Sequence, residues 1–514
     1  MRVADPYCEK VLDPDNDKYI SATTYPNLKA YPSNKTSGIV SVMQANQPVY
    51  NWKNTNFIRP AKNNLVIYEL LVRDFTADHS YASVLTKLDY LKNLGINAIE
   101  LMPVGEFEGN LSWGYNPSFY FAPDKYYGTK VSLKNFIDEC HGKGIAVILD
   151  MVLNHSFGQS PMVQMYFNNG APTAESPWFN TVAKHPYNVG FDFNHESDAT
   201  KYFSKNVMKF WMQQYKVDGF RFDLSKGFTQ RQSSDDAGFA AYDAGRVATW
   251  KDYHSFINSI DNNNFYTILE HFADTKEETE LTNDGMMIWT NLNYNMNEAT
   301  MGYLGKSDFS WGFYTNHGFS KSEGVVSYIE SHDEERLNFK NITYGNVSGN
   351  YVIKNNLATS LKREELAAAF FFAIPGPKMI WQFGELGYDI SIDQNGRTGE
   401  KPIKWEYYNE SNRKALYDVY AKMGTLKKNN SIFATSNFTS NLISGIKYIK
   451  LNATDNNVIV VGNFDVVSQK ANIDFGASGN WVDAFGNAIN LSTNTYDLTL
   501  APGEYHVYSK TALN

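Results

Sequence analysis

Arg221 stands two residues before Asp223 inside GFRFDLSKG, a stretch that otherwise reads as a buried apolar strand. A buried charge costs several kcal/mol unless it is paired, and two residues apart on a strand means one shared face. Three other apolar runs end on polar chemistry in the same way. IAVIL leads to Asp150 and on to Asn154-His155, YTIL leads to Glu270-His271, and VVSYIES leads to His332-Asp333. Taken singly, each is as well explained by a structural ion pair. Together, carboxylates crowded at one mouth repel each other and persist mainly where chemistry or a metal uses them. Two carboxylates flanking a bond are the apparatus of glycoside hydrolysis: one attacks the anomeric carbon, the other protonates the leaving oxygen and later activates water. On this reading Asp223 is the nucleophile and Arg221 keeps it ionised and aimed.

Such residues need elements to carry them to one place. From NNLVIYELLVRDF onward, short apolar runs alternate with helical patterns. Val84, Leu85, Leu88, Leu91 and Leu94 recur at helical spacing before Gly95, and Leu133, Phe136, Ile137 and Cys140 do so before Gly142 and Gly144. Strands are expected at LVIYELLV, INAIELMPV, IAVILDMVLNH, VDGFRFDL, FYTILEHF, MMIWTNLN, VVSYIESHD and KMIWQFGE. Eight strand–helix units over about 360 residues imply an α/β fold, a closed (β/α)8 TIM barrel. A doubly wound open sheet is the alternative. The acidic residues then fall at C-terminal strand ends, where barrels of this kind keep their active sites.

Boundaries follow from texture. Residues 1–62 are rich in Asn, Pro, Ser and Tyr and read as the remnant of an N-terminal β-sandwich plus a linker; 63–430 form the barrel. An irregular stretch of about forty residues, 156–197, is expected as an inserted loop domain after strand 3. Residues 431–514 alternate apolar and polar around Asx and Pro-Gly turns, which predicts a C-terminal antiparallel β-sandwich with Pro502-Gly503 in its last hairpin.

Composition narrows the partners. A net charge of −9 argues against nucleic acid. No run reaches the length of a membrane span. Two cysteines, Cys8 and Cys140, give neither a disulfide framework nor metal spacing. Met1 leads straight into RVADPYCEK without a signal peptide, so the N-terminus reads as the interior of a longer precursor. A polymeric substrate implies a secreted, periplasmic or surface location, and a monomer is expected.

DMVLNH, GFRFDLSKG, ILEHF and YIESHDEE, in that order, resemble the four signature segments of the α-amylase superfamily of glycoside hydrolases, a resemblance that covers roughly residues 60–510. It implies Asp223 as nucleophile, Glu270 as general acid/base and Asp333 as the carboxylate that steadies the oxocarbenium-like transition state. It implies that Arg221 orients Asp223, that His155 and His332 bond the sugar in the reacting subsite, and that Tyr115 of GYNP stacks on that ring. Asp150 is then structural, and Lys226 meets sugars on the leaving side. The resemblance also implies a calcium ion held by Asn154, Asp192 and the carbonyl of Gly227, where many relatives have histidine. Oxygen ligands suit calcium.

The substrate implied is an α-glucan polysaccharide or oligosaccharide, and the reaction retaining endo-hydrolysis of α-1,4 bonds. YELLVRDF and the leading segment also resemble pullulanases, isoamylases and branching enzymes, so α-1,6 debranching and glucosyl transfer are alternatives that the same carboxylates support. A non-catalytic glucan-binding relative would have lost one of the three. A metal-dependent barrel hydrolase built on Asp150, Asn154 and His155 would recruit more histidines than carboxylates.

Overall fold

The computed structural model describes residues 2–262 and 264–514. Eight parallel strands close into a barrel: β1 (Val66–Leu70), β2 (Ala98–Leu101), β3 (Ala146–Met151), β4 (Gly219–Phe222), β5 (Tyr266–Leu269), β6 (Met287–Asn291), β7 (Val325–Tyr328) and β8 (Lys378–Trp381). Each pairs with the next, and β8 closes on β1 through Lys378↔Val66 and Trp381↔Glu69.

The strands are apolar on both faces because both are buried, one inside the barrel and one under the helices. Outward residues such as Tyr68, Ile99, Phe220 and Phe222 join the large core beneath α1 (Lys130–Gly142), α2 (Asp198–Tyr215), α3 (Ala244–Asp261), α4 (Leu357–Ala373) and α5 (Ser411–Asn429). Inward residues form a separate cluster that includes Ile67, Ala98, Ile148, Ile268, Trp289 and Tyr328. Followed upward in steps of two, these inward series turn polar. Ile67 gives way to Glu69, Ala98 to Glu100, Ile148 to Asp150, and Ile268 to Glu270. On β4 the series runs Gly219, Arg221, Asp223, and a Cβ at Gly219 would lie 2.7 Å from Tyr266 Cβ. The charges that looked out of place in apolar strands are thus the top layers of the barrel filling.

The stretch after β3 contains two short antiparallel pairs, His155–Ser156 with Phe191–Asp192 and Phe167–Asn168 with Ala171–Pro172. The first pair sets His155 opposite Asp192 and so closes the loop at its base.

The C-terminal strands are Phe438–Asn441 (β9), Ile446–Asn452 (β10), Asn457–Asn463 (β11), Gln469–Asp474 (β12), Gly479–Asp483 (β13), Ile489–Leu491 (β14), Thr495–Leu500 (β15) and Tyr505–Ser509 (β16). They form an antiparallel six-stranded sheet, β9-β10-β11-β16-β13-β14, and an antiparallel pair, β12-β15. Ile459, Val461, Phe475, Trp481, Leu498 and Leu500 pack together in their core. Buried Arg363 of α4 ties this unit to the barrel by donating to the carbonyls of Ala299, Thr300, Phe464 and Asp465.

Two local expectations differ from the structure. Pro502-Gly503 does form a turn, with Gly503 at φ +78. It is not a hairpin, because β15 pairs with β12 while β16 pairs with β11 and β13, so the turn crosses between sheets. The helix expected from Val84 to Leu94 is two helices, Tyr81–Leu85 and Leu88–Asn93. Thr86 at the break donates its hydroxyl to the Ser83 carbonyl, a local bond that competes with the helical ladder.

Candidate active site

The ladder continues one residue past the ends of β4 and β5. Asp223 N donates to Met151 O and Glu270 N to Phe222 O, both at 3.1 Å, so the two carboxylates rise side by side from neighbouring strands. One guanidinium joins them. Arg221 Nη1 lies 2.9 Å from both Asp150 oxygens and 3.1 Å from Asp223 Oδ1, and Nη2 lies 2.9 Å from Glu270 Oε2. Arg221 is buried, and its guanidinium carbon sits 4.0 Å from the centre of the Trp289 ring, a cation–π contact from below. Glu270 Oε2 also accepts from Leu224 N at 2.9 Å. Asp223 and Glu270 keep side-chain exposures of 14% and 19%, enough to meet a ligand from the mouth.

A single cation among three carboxylates leaves the cluster short of positive charge. Burial pushes the Asp223 carboxyl upward, Arg221 pulls it down, and Glu270 and Asp150 push it up again. Asp150 is raised by burial against the pull of Arg221. The Asp223 carboxyl is thereby held well above the usual carboxylate range, in contrast to the expectation that Arg221 keeps it ionised, because one guanidinium shared among three buried carboxylates does not offset their burial and mutual repulsion.

A hydrogen-bonded chain braces the other wall. Glu69, fully buried, accepts from His332 N at 3.0 Å and from His332 Nδ1 at 2.5 Å. Burial works against charge on this imidazole, but Glu69 outweighs it and His332 is held above the usual histidine range. Its Nε2 reaches Tyr115 Oη at 3.1 Å, and Tyr115 donates to Asp150 Oδ2 at 2.5 Å. Burial, with Asp150 alongside, raises the Tyr115 phenol, so it remains a donor. His155 Nε2 contacts the Tyr115 carbonyl at 2.8 Å, and burial lowers this histidine to about 4, so the ring is neutral at pH 7 and Nε2–H donates.

Asp333 follows His332 in the chain, and its charge acts on that imidazole. Its side chain is 50% exposed at the rim and pairs with Arg397 at 2.7 Å. Lys226 donates to the Phe272 carbonyl at 3.3 Å and lies over the Phe239 ring at 4.6 Å. The structure therefore gathers Tyr115, His155, Arg221, Asp223, Glu270 and His332 into one bonded cluster; Lys226 borders it within reach of the Glu270 charge, and Asp333 borders it beside His332.

At the base of the inserted loop, Asn154 Oδ1 and Asp192 Oδ1 are buried without hydrogen-bond partners. Both ring nitrogens of buried His185 share that condition, and His185 Nε2 is 3.6 Å from Asp192 Oδ1. A Cβ on Gly227 would lie 1.9 Å from Asn154 Oδ1 and 3.0 Å from His185 Nε2, so glycine keeps this space open. The Gly227 carbonyl takes the Thr229 amide at 2.8 Å. The orphaned atoms fit a cation. Asn154 Oδ1 and Asp192 Oδ1 are oxygen donors of the kind calcium takes, and they would hold the ion at the base of the inserted loop.

Sequence reasoning passed over five residues of these sites: Glu69, Glu100, His185, Trp289 and Arg397. Glu69 in YELLV and Glu100 in AIELM carried the same signal as Asp223, a charge inside an apolar strand. Both oxygens of Glu100 are buried without partners, and burial followed by Glu69 raises its carboxyl well above the usual range. His185, Trp289 and Arg397 had no local signal, since what matters in each is a contact with a distant segment.

Comparison with known proteins places this geometry. The chain is 31% identical over 225 residues to malto-oligosyltrehalose trehalohydrolase of Saccharolobus solfataricus, covering 43% of this chain and 36% of that protein. It is 24% identical over 399 residues to alpha-amylase 3 of Dictyoglomus thermophilum, covering 70% of each. The chain thus spans only about a third of the length of the first of these relatives. Pullulanase from Anoxybacillus sp. LM18-11, solved with maltotriose, shares the fold with a TM-score of 0.71 at 18% identity, over 99% of this chain and 75% of that one. The alpha-amylase catalytic-domain model matches residues 79–189 and 185–431. That match takes in β2 through β8 and every carboxylate of the pocket except Glu69: the chain belongs to the alpha-amylase family of glycoside hydrolases.

Proposed function

We propose that the chain is a retaining, endo-acting hydrolase of α-1,4 bonds in starch-like glucans. One observation carries the reading. Asp223 and Glu270 rise from adjacent strand ends, joined by a single guanidinium, at the mouth of the barrel. Asp223 attacks the anomeric carbon as Glu270 gives its proton to the departing glycosidic oxygen, forming a glycosyl–Asp223 ester. Glu270, now ionised, takes a proton from water, whose oxygen displaces Asp223 and restores the original anomeric configuration. Arg221 stays in contact with both carboxylates as charge moves from one to the other. Tyr115 and His332 line the sugar-binding wall, and Asp333 and Arg397 meet sugar hydroxyls at the rim.

A second reading, cleavage at α-1,6 bonds, is favoured by the match to pullulanase over 99% of this chain, with N-terminal residues included. Product analysis on amylose, pullulan and amylopectin separates the two. Short α-configured maltooligosaccharides from amylose support the first reading. Maltotriose from pullulan with intact amylose supports the second. No cleavage of any of the three, with a folded protein, removes both.

A further inference from the structure

We propose that Glu69 is a positioning residue of the reaction: it keeps His332 an imidazolium, a second cation in the pocket beside Arg221. The inference rests on the reading of Asp223 as nucleophile. A count of protons along the bonded chain carries it. Tyr115 has one hydroxyl proton and gives it to Asp150 Oδ2, whose carboxylate already faces Arg221 with both oxygens. The Tyr115 oxygen can then only accept, so His332 Nε2, 3.1 Å away, holds a hydrogen. Nδ1 lies 2.5 Å from Glu69 Oε1, and a carboxylate oxygen accepts. Both ring nitrogens are therefore donors, which only the charged ring allows.

Glu69 is placed to do this and nothing else. It is fully buried on β1, in register with Glu100 of β2 and Trp381 of β8. Its second oxygen takes the His332 amide at 3.0 Å, so one carboxylate fixes both the backbone and the ring of its partner. The rings of Trp113 and Trp381 flank the imidazole, 5.4 and 6.4 Å away between centres.

The neighbouring charges say what the second cation is for. Asp333 adds to the pull of Glu69 on the imidazole, and Arg221 opposes it. Glu334 of the same loop, and Asp150 and Asp223 across the pocket, lie within reach of the ring's charge, which favours their ionised forms. Glu69 itself faces Glu100, Tyr115, Tyr328 and Arg336. One guanidinium does not offset the burial of the Asp223 carboxyl, and a nucleophile must be ionised to attack. The imidazolium supplies further positive charge where the nucleophile needs it. Without the Glu69 charge, burial and Arg221 both act to strip the proton from His332, and the pocket returns to a single cation.

The test reads the proton first and activity second. Nuclear magnetic resonance of the full chain, labelled with nitrogen-15 at histidine, gives the imidazole nitrogen shifts, and His332→Gln identifies the His332 signals. At pH 7.5 both nitrogens of His332 should carry a hydrogen, and in Glu69→Gln only one. On whichever glucan the wild type cleaves, kcat of Glu69→Gln relative to wild type should be down by about tenfold or more at pH 8. It should recover as pH falls, since an imidazole without its counter-charge gains a proton only at or below its ordinary value of about 6.5. Glu69→Asp, which keeps the charge one carbon further back, should keep both hydrogens. A wild-type His332 with one protonated nitrogen overturns the proposal, and needs no folded Glu69 variant to do so. So does a Glu69→Gln chain that keeps both hydrogens, or one whose loss of kcat is the same from pH 4.5 to 8. The spectrum does not depend on the bond cleaved, so an enzyme that forms no adduct on Asp223 would remove the functional reading and leave the charge of His332 as measured.

Discussion

Replacing Arg221 by lysine keeps one positive charge in the barrel but removes the fork. Arg221 now reaches Asp150 at 2.9 Å, Asp223 at 3.1 Å and Glu270 at 2.9 Å through two nitrogens, and lies over the Trp289 ring. An ammonium at the same depth can serve Asp150 and one neighbour. A hydrogen bond to a charged group is worth about 1.5–3 kcal/mol, and one of the Asp223 and Glu270 contacts is lost. If that contact holds the reacting pair, kcat falls by about 10–10². Folding should suffer less, because the buried carboxylates still face a cation. Arg221→Ala, which strands them, would cost about 3–5 kcal/mol of stability and would not report on chemistry. The assay is kcat for Arg221→Lys on maltoheptaose and on an activated aryl α-maltooligosaccharide, with near-ultraviolet circular dichroism confirming the fold. A folded Arg221→Lys enzyme within about threefold of wild type on both substrates refutes the bridging role.

Glu100 is buried without partners and its carboxyl is raised by burial, so folding stability is fully present below the unfolded glutamic acid pKa and is lost as pH rises towards the folded one. Glu100→Gln should therefore melt above wild type at pH 8, with the gap closing as pH falls towards 4.5; a gap independent of pH contradicts this. His155 has the opposite sign. Its folded pKa of about 4 against an ordinary 6.5 means stability present above 6.5 and lost as pH falls to 4, about 3 kcal/mol in all, and urea midpoints of wild type and His155→Gln should converge across that window. Arg397 holds Asp333 at the exposed rim. Arg397→Ala should raise KM several-fold with kcat nearly unchanged, and a loss confined to kcat would place Arg397 in the chemistry instead.

Much of this site could be read before any fold was known, because its residues break a local rule. A carboxylate or guanidinium inside an apolar strand is visible in eight residues of sequence, and Arg221, Asp223 and Glu270 all announced themselves that way. Glu69 and Glu100 made the same announcement and were absorbed into buried strands, since strand ends drew the attention and these two sit within the strands. What no local pattern carries is partnership at long range. His332 meets Glu69 across 263 positions, and Arg397 meets Asp333 across 64. His185 lies in an irregular loop where neither periodicity nor capping fixes a side chain. The single helix expected around Val84–Leu94 failed for a different reason: apolar spacing persists across a break, and only the Thr86 hydroxyl bond marks it.

The most direct test of the account is identification of the covalent intermediate. Glu270→Gln enzyme, incubated with an activated α-maltooligosaccharide and quenched in acid, should gain the mass of one glycosyl unit per chain, because an activated leaving group needs no acid while release by water lacks its base. Peptide mapping should place that mass on Asp223, and Asp223→Asn should gain none. An adduct on any other residue, or an α-glucan cleaved with inversion and no adduct at all, contradicts the assignment of Asp223 as nucleophile.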